Sequence, residues 1–164
     1  MYKRQVKNVI AIAAGVVHGL GLGHKTVAAL VTRGLSEMSR LGVACGGNAG
    51  TFAGLAGLGD LVLTCTGSLS RNRRAGESLA QGVKAAEIER GQPTVAEGVR
   101  NARTVMALAR RHGIEMPISE QMELVLYHGK DARRAVDDLM SRGLKAEGAA
   151  APSPTPHAPA TKKR

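Results

Sequence analysis

The most constraining feature of this sequence is a segment near its start, residues 6–17, that is almost wholly apolar. Only Lys7 and Asn8 interrupt it. Periodicity cannot separate a buried helix from a buried strand in such a run, but its length favours a helix. The segment therefore predicts a helix with polar residues only near its beginning.

Most of the following sequence is also typical of helices. Residues 26–41 carry apolar side chains at spacings of three and four, and Gly42 follows as a stop signal. Thr51 is expected to cap a short helix. Further helices are predicted over residues 72–81, 85–89, 96–111, 117–127 and 131–141, several with proline near the start or glycine after the end. The predicted fold class is a single all-α domain.

The composition limits the core and the classes of partner. The 164 residues include one Phe, two Tyr and no Trp, so the core must be aliphatic, which suits close helix packing. A net charge of +10 is compatible with nucleic acid, an anionic membrane surface or a phosphorylated substrate as partner. Aromatic residues make up only 2% of the chain, which serves base stacking poorly, so no specific nucleic acid is expected.

Compartment and redox state follow from two further observations. No apolar run approaches the roughly 18 residues of a membrane span, and no secretory signal is visible, so a cytoplasmic protein is expected. Cys45 and Cys65 lack metal-ligand spacing, and no metal site is predicted. Two free thiols are favoured, with a single disulfide as the alternative.

Candidate functional residues are most concentrated in residues 54–74. A glycine-rich turn holds Asp60, and a short apolar run at residues 61–63 can bury itself. The motif Ser-Arg-Asn-Arg-Arg at residues 70–74 then opens a helix. Ser70 is a candidate N-cap, and Arg71 and Asn72 beside a helix N-terminus are suited to an anion. The alternative is a solvated basic helix start after a structural turn.

The two ends of the chain differ in character from its middle. Residues 1–5 are polar and read as adapter residues outside the domain. Residues 143–164 are rich in Ala, Pro, Ser, Thr and Lys without apolar periodicity, which predicts a disordered tail. The predicted helical domain therefore covers residues 6–142.

Several motifs occur in a fixed order: Val-Lys-Asn-Val-Ile-Ala-Ile-Ala-Ala-Gly at 6–15, Thr-Arg-Gly-Leu-Ser-Glu-Met-Ser-Arg-Leu-Gly at 32–42, Ala-Gly-Leu-Gly-Asp-Leu-Val-Leu-Thr-Cys-Thr at 56–66, Ser-Arg-Asn-Arg-Arg at 70–74, Val-Ala-Glu-Gly at 95–98 and Gly-Ile-Glu-Met-Pro-Ile at 113–118. Together they resemble the C-terminal half of bacterial NAD(P)-dependent glycerol-3-phosphate dehydrogenases. The resemblance implies the substrate domain of that family, similar to the helical C-terminal fold of 6-phosphogluconate dehydrogenase. It also implies interconversion of sn-glycerol 3-phosphate and dihydroxyacetone phosphate, a step toward phospholipids.

The resemblance assigns the central chemical role to Lys7, which matches the catalytic proton acceptor of the family. Oxidising a secondary alcohol by hydride loss requires a base at the hydroxyl, and the reverse reaction requires an acid at the same oxygen. Judged on local sequence alone, Lys7 would instead be an ordinary solvated residue near a helix start.

The remaining site residues are also implied by the resemblance. The positions matching glycerol phosphate binding are Lys7, Asp60, Ser70, Arg71 and Asn72, and Asp60 could hold either the ammonium of Lys7 or a substrate hydroxyl. The positions matching the nucleotide of NAD or NADP are Arg71, Val95 and Glu97. A carboxylate such as Glu97 in the first turn of a helix is also explained by the helix dipole.

Some features depart from the family or are missing. His18, His24 and Lys25 stand where other residues are common in the family, and no role is assigned to them. The N-terminal Rossmann domain with its glycine fingerprint is absent from this sequence, so the chain alone is expected to be inactive and to need that domain as a partner. A homodimer is a further possibility. The alternative function is a basic helical module that binds nucleic acid or another protein.

Overall fold

The computed structural model describes residues 2–91 and 93–142, and within them every regular element is helical. The all-α prediction is confirmed. The helices are α1 (Tyr2–Gly19), α2 (Gly23–Ala44), α3 (Ala49–Ala53), α4 (Asp60–Thr66), α5 (Arg71–Ala80), α6 (Ala85–Gly91), α7 (Pro93–His112), α8 (Pro117–Tyr127) and α9 (Ala132–Ser141), with a π-helical turn at Leu55–Gly59 before α4.

Helix α1 is the centre of the fold. Every residue from Val9 to Val17 is buried, and α1 packs against α2, α4, α5, α7 and α8. The apolar run thus forms a helix, as predicted, because it is surrounded by other helices on all sides. The helix begins at Tyr2, so residues 2–5 continue it toward the N-terminus. The ammonium of Lys3 donates a hydrogen bond to the carbonyl oxygen of Ala56.

Two glycines allow α1 and α5 to cross at very short range. A methyl group on Gly15 would lie 1.8 Å from the carbonyl oxygen of Arg73, and one on Gly76 would lie 1.9 Å from that of Ile12. No other residue type fits at a backbone separation this small. The crossing fixes the first turns of α5 against the second half of α1.

A buried carboxylate holds the start of α8. Glu37 of α2 is 2% exposed and accepts hydrogen bonds from the backbone N–H groups of Ile118 and Ser119 and from the Ser119 hydroxyl. These are donors that the first turn of a helix leaves unpaired, and Met116, at the N-cap position, provides no side-chain acceptor. Burial raises the pKa of Glu37 to about 7, although the hydrogen bonds act in the opposite direction.

Two local predictions were wrong. Asn48, and not Thr51, caps α3: its side-chain oxygen accepts from the N–H of Gly50, and Thr51 lies inside the helix. The run at residues 61–63 is only partly buried, because it lies in α4 and only one face of that helix is turned to the core. Leu61 points into the core, while Val62 and Leu63 are 40% and 69% exposed.

The remaining predictions concern the two cysteines, membrane spans, metal ligands and the C-terminal tail. Cys45 and Cys65 are both free thiols. In the described part of the chain, no helix is long and apolar enough to cross a membrane, and no group of three or more His, Cys, Asp or Glu side chains could hold a metal ion. The predicted tail at residues 143–164 lies outside the described residues.

Candidate functional site

An ion pair joins α1 to α4. The ammonium nitrogen of Lys7 lies 2.8 Å from both carboxylate oxygens of Asp60. The side chains are 16% and 43% exposed, respectively, so the lysine is largely enclosed while the carboxylate reaches solvent. The buried thiol of Cys65 lies nearby: burial raises its pKa to about 12, and the charge of Lys7 opposes that rise. The thiol therefore stays protonated beside the ion pair.

The position of Asp60 depends on the turn before it. Gly57 lies against the backbone of Phe52, where a methyl group would be 2.0 Å from the Phe52 carbonyl oxygen. This close approach allows the π-helical turn, after which Asp60 becomes the first residue of α4. A carboxylate in the first turn is favoured by the helix dipole. The hydroxyl of Thr64 donates back to the carbonyl oxygen of Asp60 at 2.6 Å.

A cleft of about 490 Å³ opens next to this pair. Its lining comes from α1, α4, α5 and the connection between α4 and α5: Arg4, Asn8, Leu63, Thr64, Gly67, Ser68, Leu69, Ser70, Arg71 and Asn72. Lys7 and Asp60 are not themselves lining residues. They lie beside the cleft, because Thr64, which lines it, donates a hydrogen bond to the carbonyl oxygen of Asp60, and Asp60 pairs with Lys7.

The N-terminal end of α5 forms one wall of the cleft. Ser70 is the N-cap, as predicted, and its hydroxyl oxygen accepts from the N–H of Arg73 at 3.3 Å. The guanidinium of Arg73 pairs with Glu77 at 2.9 Å. Arg71 is exposed and, together with Asn72, lines the cleft. Helix N–H groups, a cation and an amide therefore surround the same space, which suits an anionic oxygen ligand.

The rim of the cleft is apolar. Leu63 and Leu69 line it and are 69% and 88% exposed, and Leu55 in the preceding π-helical turn is 89% exposed. Proteins place single leucines on their surfaces without consequence, but here two exposed leucines line the same cleft. The rim is thus a surface suited to contact with another apolar group.

The structure brings together most of the residues predicted for the site. Ser70, Arg71 and Asn72 share the cleft, and the predicted contact between Lys7 and Asp60 is present beside it. The side chains of the other two predicted residues, Val95 and Glu97, lie outside the described part of the chain.

No role is assigned to His18, His24 or Lys25, and none of them lines the cleft. His18 lies 3.6 Å from Glu77 on α5, and His24 and Lys25 are exposed at the start of α2.

Sequence reasoning missed four polar lining residues, Arg4, Asn8, Thr64 and Ser68. Two of them had a usable signal. Asn8 is, with Lys7, one of only two interruptions in the apolar run, and Thr64 follows Asp60 at helical spacing. Arg4 belongs to the residues interpreted as an adapter.

The resemblance predicts that Arg71 meets the nucleotide of NAD or NADP. Arg71 is the first residue of α5 and lines the cleft, and its guanidinium is a group suited to phosphate. The strand, glycine turn and helix that cradle a pyrophosphate do not occur among residues 2–91 and 93–142, all of whose regular elements are helices.

Comparison with known proteins agrees with this architecture. Residues 3–137 match the family model described as NAD-dependent glycerol-3-phosphate dehydrogenase C-terminus. The chain is 60% identical over 142 residues to the glycerol-3-phosphate dehydrogenase [NAD(P)+] of Geobacter sulfurreducens, covering 87% of this chain and 42% of that protein. It is 59% identical over 138 residues to the protein of the same name from Koribacter versatilis, covering 84% and 41%.

A solved structure gives the same result. The crystal structure of glycerol-3-phosphate dehydrogenase from Coxiella burnetii superposes with a TM-score of 0.82 and 48% identity, covering 86% of this chain and 43% of that one. The chain thus spans less than half the length of the relatives it matches. It belongs to the family defined by the C-terminal domain of NAD-dependent glycerol-3-phosphate dehydrogenase.

Proposed function

We propose that this chain is the substrate-binding and catalytic helical half of an NAD(P)-dependent glycerol-3-phosphate dehydrogenase, which interconverts sn-glycerol 3-phosphate and dihydroxyacetone phosphate. The observation that carries the proposal is the enclosed Lys7 ammonium, paired with Asp60 and adjoining a cleft at the start of α5. Such an arrangement provides a proton-transfer group and an anion site next to each other. A three-carbon phosphate ester requires both.

In this proposal the phosphate group lies at the N-terminal end of α5. The helix N–H groups, Arg71 and Asn72 donate to its oxygens, while Ser70 holds the first turn in place. Because the phosphate is fixed at one end, the hydroxyl-bearing carbon is directed toward Lys7. As the neutral amine, Lys7 takes the hydroxyl proton during oxidation and becomes the ammonium, which returns that proton during reduction, and Asp60 orients the nitrogen in both states.

The remaining parts of the proposal concern partners. Bound NAD or NADP supplies hydride acceptor or donor chemistry, and a separate N-terminal Rossmann domain would hold most of it. Arg71, Val95 and Glu97 are the residues of this chain proposed to meet the nucleotide. Homodimerisation and a cytoplasmic location complete the proposal, and the free thiols of Cys45 and Cys65 are consistent with a reducing compartment.

A chimaera tests the proposal. The isolated chain, supplied with NADH and dihydroxyacetone phosphate, is expected to show no turnover. Fusion to the N-terminal part of the Geobacter sulfurreducens relative should produce NADH oxidation that depends on dihydroxyacetone phosphate. Lys7→Met should then lower kcat by about a hundredfold or more, whereas Lys25→Met, which changes an exposed lysine at the start of α2, should not. A folded chimaera without turnover, or one insensitive to Lys7→Met, contradicts the proposal.

A further inference from the structure

The carboxamide of Asn72 is held in an unusual position. Its oxygen Oδ1 is buried and has no hydrogen-bond partner among the described residues. Buried polar atoms of this kind are uncommon and call for an explanation. Asn72 is the second residue of α5 and lines the cleft. With the oxygen turned into the protein, the amide nitrogen is the end of the group that remains for a ligand.

The oxygen lies against Gly98 of α7. A methyl group on Gly98 would be 2.1 Å from Oδ1 of Asn72, 3.0 Å from its Cγ and 3.6 Å from its Nδ2. The three atoms nearest to that methyl group would thus all belong to the Asn72 side chain. Gly98 lies in the interior of a helix, where glycine is less favourable than alanine, so the absence of a side chain has a cost in helix stability.

We propose that Gly98 is a positioning residue: by leaving space for Oδ1, it turns the NH₂ group of Asn72 into the cleft, where it donates to the phosphate of sn-glycerol 3-phosphate. This inference rests on the proposed function. A phosphate oxygen only accepts hydrogen bonds, so the orientation of the carboxamide matters. The NH₂ group attracts the phosphate, whereas an oxygen in the same place would repel it.

The substitution Gly98→Ala separates this role from a structural one. Because the added methyl group meets only the end of a flexible side chain, the fold can accommodate it by rotating Asn72. We expect a melting temperature equal to or above that of the unchanged chain, since alanine favours the helix. Binding of sn-glycerol 3-phosphate to the full 164-residue chain, followed by ¹⁵N NMR, should weaken about tenfold or more. The side-chain NH₂ signals of Asn72 should shift before any ligand is added.

Two comparisons make the test specific. Gly91→Ala at the end of α6 adds a methyl group with no atom within 4 Å, and it should leave binding unchanged. In an Asn72→Ala background, Gly98→Ala should have no further effect on binding, because its action passes through the Asn72 amide.

The outcomes are distinct. The inference is supported if Gly98→Ala weakens binding without lowering the melting temperature, and if the same substitution causes no further weakening in the Asn72→Ala background. Unchanged binding, or an equal loss in the Asn72→Ala background, overturns it and leaves the proposed function standing. If the unchanged chain gives no signal with sn-glycerol 3-phosphate, both the proposed function of this chain and the inference are overturned.

Discussion

Gly15 of α1 and Gly76 of α5 face each other where their helices cross. A methyl group on Gly15 would lie 3.0 Å from the Cα of Gly76, and one on Gly76 would lie 2.9 Å from the Cα of Gly15. The backbones themselves are in contact at this point. This contact sets the position of the N-terminal end of α5, the proposed anion site, relative to the helix that carries Lys7.

The first prediction concerns this crossing. Gly76→Ala should lower the free energy of unfolding by about 3 kcal/mol, because the methyl group meets backbone atoms of α1 that cannot move without displacing the core. Urea unfolding of the full chain measures the change. Gly91→Ala is the matched control, since its methyl group meets open space. If the two variants are equally stable, the helices do not cross as closely as described.

The second prediction separates capping from ligand binding. Ser70 and Asp131 cap α5 and α9, each accepting a hydrogen bond from a backbone N–H in the first turn. Replacing either residue with alanine should cost about 1 kcal/mol of stability. Only Ser70→Ala should also weaken binding of sn-glycerol 3-phosphate, because Ser70 lines the cleft and Asp131 does not. Thermal unfolding and NMR titration of both variants provide the comparison. Equal binding by both would place the ligand away from α5.

The third prediction concerns Asp60. Its ion pair with Lys7 is partly exposed, so Asp60→Asn should change stability by only about 1 kcal/mol or less. In the active chimaera the same substitution should lower kcat about a hundredfold, because the Lys7 amine loses its orienting partner. Asp138→Asn, which removes the partner of Lys130 in another ion pair, is the matched control and should leave kcat unchanged. A similar kcat for both variants would contradict the role of Asp60.

The fourth prediction concerns pH. Burial raises the pKa of Glu37 from 4.5 to about 7, so between these values the folded chain holds a proton that the unfolded chain has released. The contribution of Glu37 to stability is therefore largest below about pH 4.5 and falls as the pH rises to about 7, by up to about 3 kcal/mol. Glu37→Gln should remove this decline. Unfolding measured across the window, with Glu87→Gln as an exposed control, tests the assignment. An unaltered pH profile in Glu37→Gln would refute it.

Much of the fold was readable from local sequence signals. Pro117 marks the start of the predicted helix 117–127, and Asp131 marks the start of 131–141. Helices α8 and α9 follow these signals closely. Thr51 was misread because Asn48, three residues earlier, offers a better N-cap. The apolar run at 61–63 was expected to bury itself, but it lies in α4, where successive side chains point in different directions, so only Leu61 is enclosed.

The site was less accessible than the fold, because its contacts span long sequence separations. Lys7 and Asp60 lie 53 positions apart, and only the resemblance to a family predicted that they meet. No such help existed for Glu37, which reaches α8 across 81 positions, or for the packing of Gly98 on Asn72. Contacts of this kind follow from how helices cross, and one-dimensional periodicity does not specify the crossing.

The central position of α1 has a consequence for how this domain can evolve. The helix whose buried residues support the other helices also carries Lys7 on its first turns, so no hinge separates the amine of Lys7, the proposed proton-transfer group, from the hydrophobic interior. A substitution that rotates or shifts this helix to relieve crowding will also move the amine relative to α5. Selection should therefore act on residues 9–17 both to keep the domain folded and to keep the amine aligned with α5. Substitutions should accumulate most slowly along this helix.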